Sequence, residues 1–165
     1  MDTLPLTEAT PLTKADLGKR FGAALIDVLL VVGVVGILGA GGHLLSGIGT
    51  LVGAAYVLLR DGLPVSFADG RSVGKQLLGL RVARLDGGPM TPEASARRNW
   101  TLALGSLVSG AGSVLWGLGL GILGGGLVAV GTLAGLLGVV EAVLVLVDAD
   151  GRRLGDKTGG TQVVG

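Results

Sequence analysis

The sequence predicts an all-α membrane protein: four transmembrane helices with a small cytoplasmic cap built from the central loop and the C-terminal tail. Three observations carry this. Of the 165 residues, 49% are hydrophobic and only 15% charged, where a soluble domain carries about 25% charged residues. The apolar residues lie in two blocks, 21–59 and 99–147, each long enough for two spans at about 20 residues apiece. All 13 Lys and Arg fall outside those blocks. The turns expected inside them, near Gly39–His43 and Gly124–Gly126, carry no basic residue. Because Lys and Arg mark the cytoplasmic side, both termini and the central loop are assigned to it.

Composition removes several classes of function. There is no cysteine, so disulfides, thiolate metal ligands and cysteine nucleophiles are excluded. The 33 glycines show no Gly-X-Y period, which excludes collagen and suits closely packed membrane helices.

Residues 1–18 read as a polar cytoplasmic tail with Pro5, Pro11 and the acids Asp2, Glu8 and Asp16. A secretory signal opens with a basic segment, so the first span is read as uncleaved. That span covers about 21–40 and the second about 44–59, closing at Arg60, which is expected to snorkel to the headgroups. His43, in the outer turn between them, is expected at the interface and exposed to water.

The loop 60–98 opens with turn formers, Asp61-Gly62, Pro64 and Asp69-Gly70. Leu78, Leu80 and Val82 then alternate with Gly79, Arg81 and Ala83, the period of a half-buried strand. Asp86-Gly87-Gly88-Pro89 reads as a turn. Thr91-Pro92-Glu93 reads as a helix start with Pro at the first position. Gly70 to Lys75 imitates a phosphate-binding loop but is one residue short, and Gln76 stands where the Ser/Thr belongs; nucleotide binding is not expected.

The third span, about 99–122, carries a repeat of small residues at every fourth position: Gly105, Ser109, Ser113, Gly117, Gly121 and, just beyond it, Gly125. Such stripes let two helix backbones approach closely. The fourth span, about 127–147, has Gly131 and Gly135 at the same spacing, and Glu141 falls on its small-residue face. The tail 148–165 starts with a turn and ends in residues of strand propensity, expected to pair with 78–84.

Taken in order, these segments resemble the RDD family of small bacterial membrane proteins, named for one Arg and two Asp. The match runs from Lys19 to Val164, leaving 1–18 outside the RDD-like domain 19–165. Arg20 with Ala23 or Ala24 and Asp27 fits the first motif. Gly74-Lys75 with Leu78, Gly79 and Val82, then Asp86-Gly87, fits the central loop, and Arg98-Asn99 the start of the third span. Leu154-Gly155-Asp156-Lys157 with Thr161 and Val163-Val164 fits the closing motif, whose Asp is the second of the name. Ser72-Val73 departs from the common Thr-Pro, and Gly155 stands where His is common, against a proton-shuttling His beside Asp156. The resemblance implies a multi-pass protein of the bacterial inner membrane and a polar cluster of Arg20, Asp27 and Asp156. For some members ion transport has been suggested.

Helix geometry constrains the polar centre. Arg20 and Asp27 are about 10 Å apart along one helix, and both side chains tilt toward its N-terminus, so a direct bridge between them is not expected. Glu141 lies about 9 Å from the inner end of its span, at nearly the depth of Asp27. Asp27 is therefore read as half of a site, completed by Glu141, by a central-loop Arg or by a neighbouring subunit. Two close carboxylates would need a shared proton, a bound monovalent cation, or an Arg such as Arg97 or Arg98.

The leading function is a non-enzymatic membrane protein that binds or stabilises membrane partners through the Arg/Asp cluster, in contact with the bilayer and with copies of itself or another membrane protein. The alternative is cation or proton transport, of the sodium/proton antiport type, through Asp27 and Glu141. Four short helices are few for a carrier built of repeats, so transport would favour an oligomer. No nucleophile–base pair is visible, and no cofactor, metal or nucleic acid is expected.

Overall fold

A computed structural model describes residues 13–64 and 69–165. Most of the expected N-terminal tail, residues 1–12, lies outside the described residues. Helix α1 spans Leu17–Gly39 and starts where the Asp16 carboxylate accepts a hydrogen bond from the Lys19 amide at 2.9 Å. A turn with Gly42 at φ 95° leads into α2, His43–Leu59. The cap begins with α3, Val73–Leu77, capped by Ser72, and β1, Arg81–Arg84. Helix α4, Pro92–Gly117, has Thr91 as its cap and Pro in its first turn, the arrangement expected of a proline that has no amide to lose. Then come α5, Gly121–Gly135, α6, Leu137–Val147, α7, Leu154–Thr158, and β2, Thr161–Val164.

The chain is thus mostly helical. Two stretches are long and apolar enough to cross a membrane, α1 and the α5–α6 stretch Gly121–Val147, while α2 is apolar but shorter. Helix α4 spends its first two turns on polar residues, Glu93 to Asn99, before its apolar part begins.

Helix α4 is the centre of the bundle and packs most extensively on α2 and α5. Its contact with α5 is backbone to backbone. A Cβ on Gly131 would stand 2.3 Å from the Ser109 nitrogen, and one on Gly105 would stand 2.6 Å from the Gly135 nitrogen. Gly105, Ser109, Gly131 and Gly135 therefore meet as the small-residue spacing predicts, and Ser113 is partly buried. The rest of the stripe needs correction. Gly117 turns to α2, where a Cβ would lie 2.6 Å from the Leu44 nitrogen. Gly121 is the first residue of α5, not part of α4. The helix expected over 99–122 does not run to 122, because α4 ends at Gly117 and the chain reverses over 118–120, with Gly119 at φ 90°. A four-residue period drifts around a 3.6-residue helix, so one stripe served two neighbours and then crossed a turn.

The helical stretch expected at 127–147 is longer than expected and broken. It starts at Gly121 rather than 127, and at Leu136 the backbone N–H donates back three residues to Leu133 at 3.0 Å, a tightened turn that separates α5 from α6.

The cap sheet pairs β1 with β2 antiparallel, Val82 opposite Val163 and Ala83 opposite Gln162. Before α1 the chain adds to it, with the Ala15 amide donating to Val163 at 3.2 Å. The strand expected at 78–84 starts only at Arg81, because Gly79 turns the chain at φ 68°. Ala15, Ala23, Leu80 and Val163 form the apolar centre that joins the cap to α1.

Candidate functional site

Where the cap meets the helices, seven ionisable residues are buried and two more, Arg20 and Arg60, are partly buried in one connected region. Glycine makes the approach possible at two points. A Cβ on Gly74 would stand 2.0 Å from the Ala23 carbonyl oxygen, and one on Gly155 would stand 2.0 Å from the Arg98 carbonyl oxygen. Any side chain at either position would push α3 off α1, or α7 off α4.

Three carboxylates organise the region. Asp27 of α1 accepts from Arg60 at 2.9 Å, from the Tyr56 hydroxyl at 3.0 Å and from the Gly74 amide at 2.9 Å, which ties α1 to the end of α2 and to α3. Asp61, fully buried, accepts from Lys75 of α3, from Arg98 Nη1 at 2.5 Å and from Asn99 Nδ2 at 3.1 Å. Asp156 of α7 accepts from Arg98 Nε at 2.6 Å, pairs with Arg20 at 3.5 Å and with Arg153 at 3.6 Å, and takes the Arg153 amide at 3.3 Å. Arg98 thus bridges two carboxylates from segments 95 residues apart in sequence (Asp61 and Asp156), a use suited to a planar guanidinium. Arg153 Nη2 closes the ring by donating to Asn99 Oδ1 at 2.6 Å. Glu141 of α6 accepts the Gly155 amide at 3.1 Å.

The cap-side groups titrate as this geometry demands. Burial pushes the Asp61 carboxyl up, but Lys75, Arg98 and Arg60 outweigh it and hold its pKa well below the usual carboxylate range. Asp156 is likewise lowered, burial being overcome by Arg98 and Arg153. Lys75 is pushed down to about 7, by burial and by the Arg98 and Arg60 guanidiniums acting against the pull of Asp61.

A cavity of about 160 Å³ opens between α1 and α6 at this level. Arg20, Arg60, Lys75, Arg98 and Arg153 line it together with Asp27 and Glu141, and Phe21, Ala24, Leu102 and Ala142 form its apolar walls.

The sequence model described as the RDD family matches residues 14–160. The chain belongs to the RDD family. With its apolar helices, that makes it a membrane protein. Comparisons with curated proteins and with solved structures return no match.

In this RDD chain the family's Arg and second Asp, Arg20 and Asp156, are in contact. The first Asp, Asp27, takes different partners, so the three do not form one cluster of direct bonds. Asp27 and Glu141 line the same cavity, but among the described residues each is bonded elsewhere and no hydrogen bond joins them. The expected Arg donors also differ. Arg97 is exposed and pairs with Glu93 at 2.7 Å. Arg98 serves Asp61 and Asp156. Arg60 does not snorkel; it turns inward to Asp27. Gly74 and Lys75 of the loop motif are both at the centre, and Gly79 shapes the turn behind them. His43 stacks on Trp116 with ring centroids 4.7 Å apart. Sequence reasoning missed Asp61, Tyr56 and Arg153. Asp61 read as a turn former beside Gly62, and a charged residue directly after a span, followed by a buried-type Gly-Lys motif, was the available signal.

Proposed function

We propose that this chain is a non-enzymatic, four-span protein of the bacterial inner membrane, with both termini and the cap cytoplasmic, that binds or stabilises membrane partners, including copies of itself. The spans are α1, α2, the apolar part of α4, and α5–α6. The observation that supports binding over conduction is the charge around Asp27 and Glu141. Five bases line the cavity that holds these two acids, so a cation arriving there meets a positive wall. Asp27 is also saturated by three donors from other segments. A buried carboxylate fixed in this way holds helices in register rather than passing ions along.

The absence of native cysteine makes single-cysteine labelling a clean test of topology. A membrane-impermeant maleimide is expected to label Leu118→Cys in intact cells and Leu85→Cys only after permeabilisation; the reverse pattern, or labelling of both, would sink the four-span arrangement. For partner binding, protein extracted in mild detergent is expected to elute as an oligomer or with a bound protein or lipid. A clean, ligand-free monomer would count against it.

One observation favours the second reading, cation or proton transport: Asp27 and Glu141 share a cavity. Liposomes holding an internal pH dye would decide it. Sodium- or potassium-driven proton flux that is lost in Asp27→Asn would establish transport, and no flux from intact wild type would remove it.

A further inference from the structure

The basic and acidic groups of the buried region are unequal in number. Its bases are Arg20, Arg60, Lys75, Arg98 and Arg153; its acids are Asp27, Asp61, Glu141 and Asp156, so five positive groups face four negative ones. The distribution is more uneven than the sum. All five bases line the cavity, but only Asp27 and Glu141 among the acids do. Asp61 and Asp156 are fully buried behind it. Each base has an acidic partner, but five share four carboxylates, and the lowering of Lys75 by burial and by Arg98 and Arg60 reflects the crowding of positive charge.

The Arg60 side chain is 10% exposed, and its Nε is buried with no hydrogen-bond partner among the described residues. The cavity's other half is apolar. Phe21 and Ala24 of α1 and Ala142 of α6 line it, and the exposed faces of the same two helices continue away from the cap through Leu25, Val28, Val140 and Val139. Cationic at the cap end and apolar along the helices, the space has the polarity of a phospholipid lying in one leaflet. Basic pockets between membrane helices on the cytoplasmic side are suited to such headgroups.

We propose that the cavity between α1 and α6 binds one anionic phospholipid, its phosphate facing Arg20, Arg60 and Lys75 and its acyl chains lying along Phe21, Ala24 and Ala142. The inference rests on the partner-binding reading and names the partner's chemistry. The phosphate supplies negative charge opposite the base-lined wall. The apolar walls select a lipid over a free anion.

The test uses the full chain, purified in mild detergent and stripped of lipid, with short-chain phosphatidylglycerol as probe and native mass spectrometry and thermal melting as readouts. Saturable binding of one lipid is expected, about tenfold tighter than phosphatidylcholine, the ratio that about 1.4 kcal/mol of charge interaction gives. Ala24→Trp, at an exposed position on the cavity wall, is expected to abolish binding by filling the space. Equal binding of the two lipids overturns the proposal. So does an equal thermal shift from glycerol phosphate or inorganic phosphate, which would make this a free-anion site. Should Ala24→Trp fail to fold, the wild-type lipid comparison still decides. A chain that oligomerises or carries a protein partner but ignores phosphatidylglycerol sinks this inference alone. One that is monomeric and partner-free in every condition sinks the partner-binding reading as well.

Discussion

The helix bundle and the cap junction hold the same helices by opposite means. In the bundle, α4 meets α5 through Gly105, Ser109 and Gly131, and α2 through Gly47, where a Cβ would stand 2.6 Å from the Val114 nitrogen. No charge takes part. In the proposed four-span bundle there is no hydrophobic gain from association between helices, so close backbone packing does the work. At the junction the contacts are ionic and pairwise: Asp27 with Arg60, Asp61 with Lys75 and Arg98, Asp156 with Arg98 and Arg20. The bundle is specified by what is absent from its side chains, the junction by what each side chain must find. The two should therefore fail differently, the bundle to added volume and the junction to lost charge.

Arg98→Met is the sharpest test of the junction. It keeps a long side chain but removes the shared partner of Asp61 and Asp156, and breaking a buried pair from one side costs about 3–5 kcal/mol. Unfolding of the detergent-solubilised variant, followed by circular dichroism, should show that loss. Arg98→Lys should fall between, since an ammonium does not reproduce the two-pronged contact. A loss under about 1 kcal/mol, the size of a surface pair, would mean that the junction is not held by its charges.

Acid should reach the same region next. Asp61 and Asp156 have pKa values below their ordinary 3.8 in the folded protein, so the unfolded chain takes up protons first as pH falls. Their contribution is complete above about pH 4 and is lost progressively below it. The melting temperature should hold steady from about pH 6, below the Lys75 transition near 7, down to that point and then drop. In Arg98→Met the drop should be shallower, because much of the depression is gone. An equal acid response in both proteins would place the titrating groups elsewhere.

The same contrast explains what could be read from the sequence. The two apolar blocks, the exclusion of Lys and Arg from them, and the alternation around Leu80 and Val82 are local signals. They anticipated the helices and the β1–β2 pair, whose register is now Arg81 opposite Val164. The small-residue stripe through Gly105 was legible as a close-approach surface, but its partner at Gly131 was not. The junction was not legible in detail. Arg60 looks like a snorkelling residue in sequence, and only the fold brings Asp27, 33 positions earlier, within 2.9 Å of it. Asp61 carries two bases and an Asn but reads as an ordinary turn residue. Charge pairing across such separations leaves no periodicity, so the sequence shows which residues are anomalous but not which of them meet.

Gly131→Val tests the bundle from its own side. The new side chain would collide with the backbone at Ser109, where even a Cβ stands 2.3 Å away, and overpacking of this kind costs about 1–3 kcal/mol. Gly126→Val in the same helix meets nothing within 4 Å and should change stability by less than about 0.5 kcal/mol. Combined with Arg98→Met, the Gly131→Val loss should add to within about 0.5 kcal/mol, as expected of separate regions. A large coupling would show that bundle and junction move as one unit.

Thr91→Ala is the smallest change and probes the boundary between the two regions. Thr91 caps α4, its hydroxyl accepting from the Ala94 amide at 3.1 Å, and loss of such a cap costs about 1 kcal/mol. Its carbonyl does a second job, accepting from the Ser95 amide at 2.9 Å, and Ser95 in turn takes the Asp61 amide at 3.1 Å and donates to Leu58 at 2.6 Å. If the helix start only fixes α4, the variant loses the cap and nothing more, and its acid response matches wild type. If the first turn of α4 is also part of the charge network, the loss exceeds about 2 kcal/mol, the upper range for a cap, and the acid transition moves toward neutral pH as Asp61 loses its fixed surroundings. Thermal melts of Thr91→Ala at neutral pH and near pH 4 separate the two outcomes, and the second would extend the junction into the bundle by one full helical turn.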